Sequence, residues 1–93
     1  MRIIGNIDHP TLKISVFKAD NRVSVKFENA LYEQTFKLGD DDRFSNLEAV
    51  QKLVDNEMLE DVQAGFRQMH VARMAVMGRA FPVMEAEVFE EII

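Results

Sequence analysis

The sequence contains no cysteine and only two histidines among its 93 residues. Without cysteine, disulfide bonds and thiolate metal sites cannot form, and a reducing compartment is the natural expectation. No apolar run reaches the roughly 18 residues that a membrane-spanning helix requires, and no signal-peptide pattern is present. We therefore expect a cytoplasmic protein that has no membrane partner.

Neither histidine belongs to a metal-binding or catalytic motif. His9 lies in a turn and His70 in an apolar helix, outside the H-x-x-x-H, E-x-x-H and H-E-x-x-H patterns. The acidic run Asp40-Asp41-Asp42 lacks the later glutamate of a calcium loop and suits a solvated turn before a helix. No nucleophile and base, and no paired carboxylates, follow from the spacing. We therefore predict no catalytic residue, cofactor or metal.

Basic charge is scarce, since the net charge is −5, and this disfavours binding to nucleic acid. The outer face of the predicted sheet carries basic residues and Phe17, which are residue types of a nucleic-acid platform, but Glu28 and Glu33 lie opposite two of its lysines. Residues 1–38 hold six Lys or Arg against four Asp or Glu, whereas residues 39–93 hold five against twelve. This asymmetry either orients self-association or reflects solvated helix faces.

Alternating apolar and polar side chains predict an antiparallel sheet in residues 1–38. Residues 12–18 alternate cleanly, and residues 23–27 alternate again after Asp20-Asn21, a pair that tolerates positive φ. A second two-residue turn at Asn29-Ala30 would place Phe27 opposite Tyr32. The first turn likewise places Val16 opposite Val25.

Residues 45–78 carry the longest helical period, with Ser45 and Glu48 fitting a capping box at its start. The apolar positions of one face are Leu47, Val50, Val54, Met58, Val62, Phe66 and Met69. About 34 helical residues span roughly 50 Å, whereas eight strand residues span about 27 Å. The helix therefore either breaks near Asp55-Asn56, or its distal half projects and pairs with another chain.

Together these patterns predict a single α+β domain over residues 1–93. Its fold is an antiparallel three- or four-stranded β-meander followed by two or three helices packed on one sheet face. Residues 82–93 form a C-terminal helix or strand, and the recurrence of Met84, Val88 and Ile92 favours the helix.

The segment from residue 69 to residue 77 is apolar nearly all round, because His70 and Arg73 are its only polar residues. Such a helix is normally buried on several sides, and a domain of this size has a thin core. We therefore predict a protein interface, most simply that of a homodimer, formed by Met69, Val71, Met74 and Met77. Methionine suits such a surface because its side chain adapts its shape.

Gln34 is the one amide on the apolar face of the predicted sheet. A buried amide requires hydrogen-bond partners, and together with Tyr32, His70 and Arg73 it could line a small polar pocket between sheet and helix. The competing interpretation is a satisfied core glutamine. The sequence thus predicts a small non-catalytic domain that acts through protein contacts or homodimerisation, with a small-ligand-binding protein or minor enzyme as the alternative.

Overall fold

Four antiparallel strands followed by two α-helices make up the chain from residue 1 to residue 82, the residues that the computed structural model describes. Each strand pairs with the next one along the chain, so the sheet order is β1-β2-β3-β4. This confirms the predicted α+β arrangement with an antiparallel meander, in its four-stranded form. The proposed segment 82–93 lies, apart from Pro82, outside the described residues. The strands are β1 (Arg2–Ile7), β2 (Lys13–Ala19), β3 (Arg22–Glu28) and β4 (Glu33–Gly39).

The turn between β2 and β3 contains two residues, as the sequence predicts. Asp20 adopts a φ of 57°, a left-handed conformation that aspartate tolerates better than most residues. Val16 consequently lies opposite Val25, and Lys13 lies opposite Glu28. Both faces of the hairpin therefore have the expected side chains.

The turn between β3 and β4 is longer than predicted, and the pairing of Phe27 with Tyr32 is wrong. Phe27 lies opposite Gln34. The cause is Asn29, whose Oδ1 accepts hydrogen bonds from the amides of Leu31 at 2.9 Å and Tyr32 at 2.8 Å. This side chain closes a wider loop than a two-residue turn allows. Because the register moves by two residues, every side chain of β4 keeps its predicted face.

The helical region is interrupted at residues 54 and 55. A short 3-10 turn at Asp42–Phe44 precedes helix α1 (Leu47–Leu53), and helix α2 (Asn56–Ala80) follows. Asp55 caps α2, because its carboxylate accepts a hydrogen bond from the Met58 amide at 2.8 Å. The carboxylate also lies at the positive end of the helix dipole.

The capping box predicted at Ser45 and Glu48 is wrong, because α1 begins one residue later. Asn46 is the cap, and its Oδ1 accepts from the Ala49 amide at 2.8 Å. The Ser45 hydroxyl instead donates to the carbonyl of Asp42 at 3.2 Å. Two adjacent residues with good capping side chains thus compete, and the second one caps the helix.

The core joins the inner side of the sheet to both helices. Val62 and Phe66 of α2 lie in it at 1% and 4% exposure, and Met69 is the last α2 residue that packs against it. A helix of 25 residues is about 37 Å long, whereas strands of seven residues reach about 24 Å. The buried apolar side chains are Leu12, Ile14, Val16, Val23, Val25, Phe27, Val50, Val54, Val62 and Phe66.

Candidate protein-interaction surface

The last third of α2, together with Phe81, carries large apolar side chains that the rest of the described chain leaves exposed. We call residues 70–81 the α2 tip. Val71 is the most exposed of its large apolar residues, at 68%. A solvated apolar cluster of this kind on one element is characteristic of an interaction site. Its exposed members are Val71, Met74, Val76, Met77 and Phe81.

The sequence produces this surface because the helical period continues after the sheet has ended. Val62, Phe66 and Met69 pack against the core at intervals of three and four residues. Arg73 and Val76 continue the same stripe, but both are exposed. Methionine, alanine and arginine are strong helix formers, so the segment remains helical to Ala80.

The four residues predicted for the interface divide into two groups. Val71, Met74 and Met77 lie exposed on the α2 tip, whereas Met69 packs against the core. Sequence reasoning missed Val76 and Phe81. Val76 lies inside the apolar run and carried the same signal, whereas Phe81 follows the expected helix end at residue 78.

The side of α2 opposite the core forms a second part of this surface, which we call the back face. Val71 follows Val62 by nine residues, about two and a half helical turns, and therefore points away from the sheet. Around it, small side chains leave a shallow depression of about 450 Å³. The depression is lined by Ala64, Arg67, Gln68, Val71 and Ala72.

Charge is segregated along α2. Its first turns carry the exposed carboxylates Glu57, Glu60 and Asp61, whereas the remainder carries the exposed guanidinium groups Arg67, Arg73 and Arg79. Among residues 1–82, the only ion pairs are those of Lys26 with Glu28 and Glu33 and of Arg43 with Asp41. Within residues 1–82, no charged side chain of α2 therefore forms an ion pair.

An open groove of about 490 Å³ lies between α2 and the β3–β4 turn, and we call it the Tyr32 groove. A hydrogen bond of 2.9 Å joins the Tyr32 hydroxyl to Nδ1 of His70, and the two rings meet edge to face at 6.0 Å. The structure thus brings together two of the four residues predicted for a ligand pocket. The groove is lined by Asn29, Leu31, Tyr32, Gln63, Phe66, Arg67, His70 and Val71.

The other two predicted pocket residues lie elsewhere. The Gln34 amide donates to the backbone carbonyl of Val62 at 2.8 Å. It lies so close to Gly65 that a Cβ atom there would be 2.9 Å from Gln34 Nε2. Gln34 is therefore occupied by the helix backbone, and Arg73 is exposed on the α2 tip and does not line the groove.

Lys26, in the middle of the outer sheet face, has local partners. Lys26 lies 3.2 Å from Glu28 and 4.0 Å from Glu33, and its ammonium is 5.3 Å from the centre of the Phe17 ring. The positive charge in the middle of the outer sheet face is thus compensated.

The acidic turn before α1 holds a second pair. Arg43 binds Asp41 through Nε and through Nη2, the latter at 2.6 Å, and its backbone amide donates to the same carboxylate at 2.8 Å. These hydrogen bonds lower the pKa of Asp41 to about 2. The pair stabilises the start of the 3-10 turn, so its charged groups serve the fold.

Within residues 1–82, no three His, Asp or Glu side chains form a group that could hold a metal ion. His9 uses Nδ1 to accept hydrogen bonds from the amides of Thr11 at 3.1 Å and Leu12 at 3.0 Å. Over the same residues, neither helix has the length and apolar character needed to cross a bilayer. No protein-family model, no curated protein and no solved structure matches this chain.

Proposed function

We propose that the protein acts without catalysis, through protein–protein contacts of the α2 tip, and that its partner is a second copy of the same chain. One observation carries the proposal, namely that the described residues leave four large apolar side chains of α2, and Phe81 just after it, exposed where the helix extends past its own sheet. Soluble monomers rarely leave a contiguous apolar patch of this kind uncovered.

Covering the patch would supply the free energy of association. Burial of a Val, Phe or Met side chain contributes roughly 1.5–3 kcal/mol relative to its exposure, so covering even part of the cluster favours association. Part of this gain offsets the loss of translational freedom and the ordering of side chains. The flexible Met74 and Met77 side chains adjust to the shape of the surface that they meet.

A second copy fits this surface because it presents the same apolar composition. Two-fold symmetry is the commonest arrangement of soluble oligomers, and each residue of such an interface is used twice. Homodimer interfaces are also more apolar than those of transient complexes. The α2 tip is of the apolar kind, since only His70, Arg73 and Arg79 of its 12 residues are polar.

Sedimentation equilibrium over a range from low to high micromolar concentration tests the proposal. We expect the wild-type chain to have the mass of a dimer and Val71→Glu to have that of a monomer, since a buried carboxylate opposes association. Leu53→Glu is the matched control, because Leu53 is a helical apolar residue, 45% exposed, at the end of α1. Circular dichroism checks that both variants fold. A wild-type chain that stays monomeric at high micromolar concentration contradicts the proposal.

A small-ligand site in the Tyr32 groove is the second candidate function. The observation that favours it is the pairing of the Tyr32 hydroxyl with the His70 imidazole beside apolar walls, which is the usual composition of a ligand pocket. A panel of metabolites in a thermal-shift assay tests it. A compound that stabilises the wild-type chain but not Tyr32→Phe supports a ligand site, and a panel without any stabilising compound counts against it.

A further inference from the structure

The charges of α2 indicate how the two copies meet. We infer that two α2 helices pair antiparallel through their back faces, so that Asp61 of each protomer lies beside the partner's Arg79. This inference rests on the proposed homodimer and adds its orientation, its face and its register. A second copy is chosen over another partner because a single copy of α2 carries both of the charged groups that the arrangement needs.

The order of charges along the helix selects the antiparallel orientation. Exposed carboxylates occupy the first turns of α2 and exposed guanidinium groups occupy the remainder. A parallel pair would place the carboxylates of one helix beside those of the other, and like charges on neighbouring helices repel. An antiparallel pair instead places the acidic end of each helix beside the basic end of its partner.

The spacing of Asp61 and Arg79 selects the register. The two residues are separated by 18 positions, which is about five complete helical turns. They therefore lie on the same side of α2, roughly 27 Å apart. In a two-fold antiparallel pair, corresponding flanks of the two helices lie side by side. A two-fold axis at the level of His70, which is midway along the helix between Asp61 and Arg79, thus forms two Asp61–Arg79 pairs in each dimer.

The residues between these two positions make close contact possible. The back face between Asp61 and Arg79 carries the uncharged residues Ala64, Gln68, Val71 and Ala75. Arg67, which also lines the depression, lies on the other flank, about 120° around the helix from Asp61. The depression among Ala64, Val71 and Ala72 leaves room for side chains of an opposing helix. Small residues at a contact let two helices approach to the shorter end of the usual interaxial distance. The most exposed apolar residue of the tip, Val71, would then lie at the centre of the interface.

Exchange of charges tests the arrangement. Asp61→Arg and Arg79→Glu should each raise the dimer dissociation constant about tenfold in sedimentation equilibrium, because two pairs become repulsive in each dimer. The double variant Asp61→Arg with Arg79→Glu restores both pairs with their signs exchanged. We expect its dissociation constant to lie within about threefold of wild type.

Lys52→Glu is the matched control, since Lys52 is an exposed helical cation on α1 and lies outside both the α2 tip and the back face. It makes the same change of charge as Arg79→Glu and should leave the dissociation constant unaltered at moderate salt. Circular dichroism of each variant checks that the helix content is preserved. Because the pairs are at the rim, raising the salt concentration should reduce the difference between Arg79→Glu and wild type.

Cross-linking gives a second measurement, and the absence of native cysteine makes it unambiguous. A mixture of an Asp61→Cys chain and an Arg79→Cys chain should form the mixed disulfide on mild oxidation, detected by mass spectrometry. A parallel pair would form the two homodisulfides instead. If the wild-type chain is a dimer but the cysteine variants give homodisulfides, or neither charge reversal changes the dissociation constant, the antiparallel arrangement is overturned while the homodimer stands. A monomeric wild-type chain overturns the homodimer and the arrangement with it.

Discussion

The two halves of α2 follow one helical period but have opposite environments. In the first half, Val62 and Phe66 are buried against the sheet at 1% and 4% exposure, whereas Val71 in the α2 tip is 68% exposed. Both halves are helical and both are rich in apolar residues. The difference lies in what stands opposite them, because the strands end before the helix does. Periodicity therefore predicts the helix, whereas the relative lengths of helix and strands decide which part is free for a partner.

The largest expected effect is on the free energy of unfolding when one apolar side chain is truncated in each half of α2. Phe66→Ala removes a buried aromatic ring and leaves a cavity, so it should lower the free energy of unfolding by about 3–5 kcal/mol. Met74→Ala should change the free energy of unfolding of the monomer by less than about 0.5 kcal/mol, since its side chain is exposed. Urea unfolding at low protein concentration measures both. Equal losses for the two variants would remove the distinction between the halves.

A smaller effect is expected where Gly65 of α2 packs close to Gln34 of β4. Gly65→Ala places a Cβ atom 2.9 Å from Gln34 Nε2 and 3.2 Å from its Cδ. We expect a net loss of about 1–2 kcal/mol in unfolding free energy, because crowding exceeds the gain in helix propensity.

Gln34→Ala in the same chain removes the crowding and is the compensating variant for Gly65→Ala. Gly65→Ala should therefore lower the free energy of unfolding much less in the Gln34→Ala chain than in the wild-type chain. If thermal unfolding shows no coupling between the two substitutions, the close approach of α2 to β4 does not matter for stability.

At the boundary of the two halves, Tyr32→Phe removes the hydroxyl that bonds to His70. Because this contact is partly solvated, the loss in unfolding free energy should be about 0.5–1 kcal/mol. His70→Phe, which removes the other partner and keeps an aromatic ring, should give a similar value. Thermal melts of the two single variants and the double variant measure the coupling. Strictly additive losses would show that the bond contributes nothing.

The smallest effect lies away from α2 and provides a reference for charge pairs. Arg43 lowers the pKa of Asp41 from its ordinary value near 3.8 to about 2. A carboxyl group whose pKa is lowered by folding stabilises the folded chain. The stabilisation is complete when the pH is above the ordinary pKa, and it is lost as the pH falls from about 4 through 2. An NMR titration should show the low pKa in wild type and a value closer to 3.8 in Arg43→Gln. An unshifted Asp41 resonance in wild type would contradict the pair.

Sequence patterns predict much of this fold because short-range signals agree with one another. The hairpin of β2 and β3 follows from clean alternation and from Asp20, which takes the left-handed turn position. The register of β3 and β4 was missed because a single side chain, that of Asn29, widens the loop. No alternation pattern reports such a hydrogen bond. The start of α1 was missed by one residue because Ser45 and Asn46 are both good caps.

The candidate site is predicted less completely, since it depends on tertiary partners. The apolar run marks the α2 tip, but exposure separates Val71 and Met74 from Met69, and exposure depends on where the sheet ends. Gln34 was correctly assigned to the inner face of the sheet. Its partner is the carbonyl of Val62, and no spacing rule connects a strand amide with a helix backbone 28 residues later.

The contact of Gln34 with Val62 and Gly65 also has a mechanical consequence. It holds α2 near its middle, and Met69 in the core and His70 bonded to Tyr32 hold the helix further along. The ten residues from there to Ala80 form a free arm of roughly 15 Å. A rotation of ten degrees at His70 would carry Ala80 through about 3 Å. These contacts at the edge of the sheet together set the direction of the arm, and thereby the spacing of any two sheets that the arms join.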